Sequence, residues 1–175
     1  MGIYRSMIKL KDILLESDIF IPRRREDRAI RYVNDIVKQY IKNGGEGSLD
    51  FSSFGLRELP PILKGITVMN GYFDCSNQDN TNLHSDNQSK NIIKTLKNSP
   101  KIVYGNFYCQ NIGLESLEGG PEFVNGEFNC SYNKLTSLEG IPKTVGGDLY
   151  ITNNPVKFTK EQIKSVCNVK GDVFV

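Results

Sequence analysis

Apolar and polar residues alternate in short bursts along this chain. The unit G-x-Φ-x-Φ, with Φ apolar, starts at residues 47, 71, 105, 126, 147 and 171. Two units extend into an ungapped 21-residue repeat, GNFYCQNIGLESLEGGPEFVN at 105–125 and GEFNCSYNKLTSLEGIPKTVG at 126–146. With the glycine as position 0, both copies carry an aromatic at +2, Cys at +4, Leu at +9 and +12, Glu-Gly at +13 and +14, and Pro at +16. The flanking copies are looser. Residues 47–70 and 147–170 run 24 residues each, 71–104 runs 34 with about 13 inserted, and 171–175 begins a sixth copy.

The period has a physical meaning. Five residues of alternation make a half-buried strand, and glycine lets the chain turn tightly into it. Leu at +9 and +12 points back into the same core from a non-strand return, and Pro near +16 fixes an extended leg. One coil cannot bury its own apolar face, whereas stacked coils bury a continuous column. The expected fold is an α/β solenoid of about five coils of ~21 residues, with one parallel sheet and strands about 4.8 Å apart.

Helical caps are expected at both ends. Residues 24–43 place Ile30, Val33, Val37, Tyr40 and Ile41 at helical spacing, with Asn43-Gly44 as the stop. Residues 1–46 are then an N-terminal cap and 47–175 the solenoid, together one structural unit. Thr159 and Gln162 match a capping box. It precedes a helix over 160–167 that turns Ile163 and Val166 inward, and 171–175 closes the stack as a strand. The insertion at 77–100 reads first as loop. Ile92, Ile93 and Leu96 then suggest one or two helical turns between Ser89 and Pro100.

Composition and charge sharpen this picture. The net charge of +2 conceals a split, with ten Lys/Arg against six Asp/Glu in residues 1–43 and twelve against fourteen in 44–175. A basic cap thus joins an acidic solenoid. Arg23, Arg24, Arg25, Arg28 and Arg31 could touch phosphate. Glu26, Asp27 and Asp35 interleave with them, and an Asp27–Arg31 pair at i,i+4 fits a solvated helix face. Nucleic acid is therefore not an expected partner. No apolar run approaches the roughly 20 residues that span a bilayer, so no membrane role is expected. Residues 7–16, MIKLKDILLE, mix lysine and acid among apolar residues, unlike a secretory signal.

Candidate chemistry is sparse. Cys75, Cys109 and Cys130 share the +4 position. They should stack inward on adjacent strands as a small apolar column rather than converge tetrahedrally on a metal. Such thiols suit a reducing compartment. His84 is the only histidine and has no partnered nucleophile. The pairs Gly119-Gly120 and Gly146-Gly147 are turn residues, and neither phosphate-loop pattern occurs. No catalytic residue, metal site or cofactor is expected, and the chain is not expected to be an enzyme.

Strand positions +1, +3 and +5 point away from the core. Along the copies these positions gather tyrosines with acids and amides. Tyr72, Asp74, Asn106, Tyr108, Asn129, Asp148 and Tyr150 are the candidate partner-binding residues, because tyrosine offers large contact area with a polar tip. An ordinary solvated face, with tyrosine present for its β propensity, is the alternative.

Phe128-x-Cys130-x-x-Asn133-x-Leu135 matches the leucine-rich-repeat pattern L-x-L-x-x-N-x-L. The chain further resembles small leucine-rich-repeat proteins of large tailed bacteriophages. The segments that carry the likeness are IFIPRRREDR at 19–28, VGGDLYI at 145–151 and KGDVFV at 170–175. The likeness covers nearly the whole chain. It departs in the insertion and in the aromatics and cysteines that stand where the family often has leucine. The resemblance implies a leucine-rich-repeat-like stack and a viral origin, and it implies no reaction. Together with the outward face it leads to a non-catalytic protein-interaction module acting in the host bacterial cytoplasm. The alternative is a structural or packaged virion component. That alternative rests on Leu14-Leu15-Glu16, which resembles the end of targeting peptides that some phage proheads cleave.

Overall fold

The computed structural model describes residues 25–77 and 90–175, with side chains from Ala29 onward. Leu14-Leu15-Glu16, the 7–16 segment, Arg23, Arg24, His84 and Ser89 lie outside the described residues, as does any Asp27–Arg31 pair.

The chain is a parallel β-solenoid of five coils, and each coil supplies two strands of two residues rather than one of five. The first sheet holds β1 (Leu49–Asp50), β3 (Phe73–Asp74), β5 (Phe107–Tyr108), β7 (Phe128–Asn129), β9 (Leu149–Tyr150) and β11 (Val173–Phe174), in that order. A second parallel sheet holds β2 (Val68–Met69), β4 (Ile102–Val103), β6 (Phe123–Val124), β8 (Thr144–Val145) and β10 (Asn168–Val169). The expectation of a single sheet is thereby corrected. The second sheet lies at +18 and +19, just after the proline. Two residues are too short for alternation to show in a sequence.

The core is two columns from the first sheet facing leucines from the return legs. The +2 column is Leu49, Phe73, Phe107, Phe128, Leu149 and Val173, and the +4 column is Phe51, Cys75, Cys109, Cys130 and Ile151, all buried. Neighbouring rings pack closely, with centroids 5.1 Å apart for Phe73–Phe107 and 5.7 Å for Phe107–Phe128. The two columns compensate in size. Where +2 is Phe, +4 is Cys; where +2 is Leu, +4 is Phe or Ile. An evenly stacked interior at crystal-like density requires that balance, so the cysteines are there for their volume. Each thiol donates to a carbonyl of the next coil: Cys75 to Tyr108 at 3.5 Å, Cys109 to Asn129 at 3.3 Å and Cys130 to Tyr150 at 3.4 Å. Burial pushes the pKa of all three thiols well up, and that of Cys167 to about 11. All four cysteines are unpaired and buried.

From the second coil on, the glycines at position 0 answer to close approach, whereas Gly47 at the open end is left-handed (φ 101°) with open space where a Cβ would sit. A Cβ on Gly105 would sit 2.6 Å from the Gly71 carbonyl carbon, and one on Gly126 2.8 Å from the Gly105 carbonyl oxygen. Real Cβ atoms do not come that near, so consecutive coils can stack only where both backbones are bare. At +14, by contrast, a left-handed backbone recurs at Asn98 (φ 77°), Gly119 (φ 79°) and Gly140 (φ 84°).

In three coils position +7 holds an asparagine, buried at Asn91 and Asn133 and half-buried at Asn154, that ties coils together. Asn133 Oδ1 accepts from the backbone N–H groups of Ile112, Gly113 and Leu114 of the preceding coil. Its Nδ2 donates to the carbonyls of Cys109, Cys130 and Ser131. Asn154 repeats the arrangement toward Leu135, Cys130, Ile151 and Thr152. Asn91 does so toward Leu56, Phe51 and Cys75. Asn91 therefore occupies the +7 place of its coil, and the extra 13 residues fall between Asn77 and Asn91. The expected helical turns at 92–96 are not formed. Ile93 and Leu96 are the buried +9 and +12 leucine positions of the coil, Pro100 is its +16 proline, and Ile92 is exposed.

The caps form nearly where expected. Helix α1 (Arg25–Lys42) packs on β1 and on a 3-10 helix, Pro61–Gly65. It buries Val33, Val37 and Tyr40 and half-buries Ile30 and Ile41. It ends as Gly45 N–H donates to the Tyr40 carbonyl at 2.9 Å, with Gly44 and Gly45 left-handed. Helix α2 (Lys160–Val166) opens on the expected capping box: Gln162 N–H donates to Thr159 Oγ1 and Thr159 N–H to Gln162 Oε1. Ile163 is inward as expected. Val166 is not, being 54% exposed, because Phe158, Ile163 and Cys167 already fill the space beneath this two-turn helix.

Candidate partner-binding face

The outward side of the first sheet carries two rows. Register places Asp50, Asp74, Tyr108, Asn129, Tyr150 and Phe174 opposite one another at +3. Ser48, Tyr72, Asn106, Glu127, Asp148 and Asp172 form the +1 row beside them. All seven sequence-predicted residues thus share one face, though in two rows: Tyr72 stands in the +1 row, Tyr108 and Tyr150 in the other.

Much of this polar surface is tied to backbone. In the +1 row the side chains of alternate coils accept from the next coil. Ser48 Oγ takes Tyr72 N–H at 3.1 Å, Asn106 Oδ1 takes Glu127 N–H at 2.9 Å, and Asp148 Oδ1 takes Asp172 N–H at 2.8 Å. In the +3 row Asp50, Asp74 and Asn129 each accept from the N–H two residues on, at Ser52, Ser76 and Ser131. In two of these three coils the chain turns inward at +5. Ser76 (1% exposed) and Ser131 (4%) are buried there, whereas Ser52, Gln110 and Thr152 are half-buried, which corrects the expectation that +5 faces outward at Ser76 and Ser131.

The aromatic residues are oriented by the same strands. Asn106 Nδ2 donates to the Tyr108 hydroxyl at 2.6 Å, and the Tyr150 hydroxyl donates to Asp148 Oδ2 at 3.4 Å. Tyr150 and Phe174 stack in parallel with centroids 4.4 Å apart. Tyr72 and Phe174 are each 40% exposed, whereas Tyr108 and Tyr150 are half-buried. Phe174, Glu127, Asp50 and Asp172 belong to the face as much as the seven candidates do. Their +1 and +3 phase was the signal for including them.

Electrostatically the face has one sign. Asp50, Asp74, Glu127, Asp148 and Asp172 lie on it, and no Lys or Arg occupies +1, +3 or +5 in any coil. Burial, and then Asp50 opposite, hold the Asp74 carboxyl above its ordinary pKa, against the pull of the Ser76 hydrogen bonds. Burial, and then Asp148, do the same to Glu127. The phenols of Tyr108 and Tyr150 are raised by burial first and by Glu127 next.

Among known proteins, no family model, no curated protein and no solved structure matches the chain.

The outward side of the second sheet differs. Its row runs Val68, Ile102, Phe123, Thr144 and Asn168, with Tyr104 edge-on to Phe123 at 6.0 Å. Two of its lysines are engaged locally. Lys143 pairs with Glu122 at 2.6 Å, and Lys101 Nζ donates to the carbonyls of Gly119 and Gly120. Among the described residues, no three His, Cys, Asp or Glu side chains form a group that could hold a metal. No described helix is long and apolar enough to cross a membrane.

Proposed function

We propose that this chain is a non-catalytic protein-interaction module whose partner lies across the outward face of the first sheet. One observation carries the proposal: six parallel strands present Tyr72, Tyr108, Tyr150 and Phe174 among acids and amides on a surface fixed by side-chain-to-backbone bonds. A rigid aromatic surface makes contacts at small entropic cost. The stack is of leucine-rich-repeat type in this proposal. Asn133 and Asn154 stand at the asparagine of that pattern and bond from coil to coil. The resemblance to phage proteins supports a viral origin and a place of action in the host bacterial cytoplasm.

The test is affinity purification from infected cells with the tagged chain, run beside a Tyr72→Ala/Tyr108→Ala/Tyr150→Ala variant. The variant should lose roughly tenfold or more of a specifically bound protein while keeping its far-UV spectrum. Unchanged recovery would reject the face. The virion alternative is tested by mass spectrometry of purified particles, where absence of the chain rejects packaging.

A further inference from the structure

The partner-facing surface combines three properties. Its carboxylates are in register with one another: Asp50 faces Asp74 across β1 and β3, and Glu127, Asp148 and Asp172 follow one another at +1 of successive coils. Like charges directly opposite on neighbouring strands destabilise a sheet, yet this sheet holds two such groups and no cation to relieve them. Between and beside the groups lie ring faces, Tyr108 in the middle and the Tyr150–Phe174 stack at one end. The six strands span about 24 Å at about 4.8 Å per step.

Resting on the reading that this face binds a protein, we infer that its occupant is a cationic, extended segment rich in arginine. Each property selects that chemistry. A guanidinium set between two in-register carboxylates removes a repulsion that the free protein bears and gains charge-assisted hydrogen bonds. Asp50, Asp74 and Asp148 each have one oxygen bound to backbone N–H, which fixes the carboxylate before a ligand arrives. Arginine also packs flat on aromatic rings, which compact lysine does less well. An extended chain advances about 6.8 Å between side chains on one side, so three or four cations fit along the face. The second sheet of another copy is a poorer complement, since it carries lysine rather than arginine and Lys143 is paired with Glu122 and Lys101 with two carbonyls.

The experiment uses fluorescence anisotropy with the whole chain and a labelled peptide of four Arg-Ser dipeptides, whose extended length of about 27 Å matches the face. A peptide of four Glu-Ser dipeptides is the control. Saturable binding of the arginine peptide alone is expected, weakening roughly tenfold between about 50 mM and about 300 mM NaCl. The Glu127→Gln/Asp172→Asn variant should weaken it by a similar factor while its melting temperature stays level or rises. Equal binding to wild type and variant, or equal binding of the two peptides, overturns the inference. So does salt-sensitive dimerisation in sedimentation that this variant abolishes, because a second copy is then the occupant. A cellular partner lost with the tyrosine triple variant but indifferent to the charge variant also defeats this inference and leaves the face intact. A partner indifferent to both defeats the face itself.

Discussion

The two sides of the first sheet are built from the same strands under opposite rules. Inward, most groups are satisfied, and only a few buried polar atoms among the described residues have no partner. A small residue in one column stands beside a large one in the other, thiols reach carbonyls of the next coil, and Asn133 meets six backbone groups from within the stack. Outward, identical stacking sets Asp50 against Asp74 and Glu127 beside Asp148, and no Lys or Arg on the face offsets them. In-register repetition amplifies whatever is placed on it. An apolar residue gains a neighbour above and below, whereas a charge meets its own kind twice. The difference teaches that stability is concentrated on one side of the strands and that the other side tolerates strain.

Interior substitutions should therefore dwarf exterior ones, and the largest loss is expected at Asn133. Asn133→Leu leaves three N–H groups and several carbonyls without partners in the core. A cost of about 4–5 kcal/mol follows, measured as a fall in the urea midpoint at unchanged slope. A loss below about 1 kcal/mol would break the comparison. Gly126→Ala comes next. It should cost about 3 kcal/mol and lower the melting temperature by roughly 6–12 °C, since the new Cβ meets the Gly105 carbonyl. Thiol reactivity tests the same side without mutation. Cys75, Cys109 and Cys130 should stay unmodified by a thiol reagent in the native state and all react in denaturant, because burial both hides them and disfavours the thiolate. Rapid native labelling of all three would dissolve the distinction between the sides.

The smallest effect should also have the opposite sign. Asp74→Asn keeps an oxygen for the Ser76 N–H and removes the charge facing Asp50. The folded pKa of Asp74 is raised, so the native state holds its proton more tightly than the unfolded chain does. Stability from this group therefore falls as pH rises from the unfolded value through the folded one. At neutral pH the variant should melt about 1–3 °C higher than the parent, and the gain should vanish near pH 3. A lower melting temperature at neutral pH would show that the charge contributes to the fold rather than straining it.

Much of the inward side was legible in the sequence, because apolar identity at +2, +4, +9 and +12 survives in every full coil but the fifth. The cysteine column and the capping box at Thr159 were equally plain. Three features were hidden for physical reasons. The second sheet consists of residue pairs behind a proline, and a pair has no period. The coil at 71–104 loses its phase to the insertion, so Ile92, Ile93 and Leu96 invited a helix. Setting NIIKTLKNSPKIV beside NKLTSLEGIPKTV restores the register. The burial of Ser76 and Ser131, each beside a side-chain-to-backbone bond at +3, runs against the alternation and so was not revealed by it. The seven candidate residues do share a face. That four of them already serve the backbone, and that Phe174 extends the aromatic surface, needed the geometry.

Asn77 and Asn91 clasp each other reciprocally. Asn91 N–H donates to Asn77 Oδ1 at 2.7 Å, and Asn77 Nδ2 donates to the Asn91 carbonyl at 2.9 Å. The coil is thus fastened on either side of the point where the additional residues depart and return. For protein engineering, that clasp is a splice port. Closing a longer loop there costs only about 0.6 kcal/mol for each doubling of its length. An epitope, a reporter or an entire folded domain could be carried between the two asparagines, with the coils above and below keeping their phase.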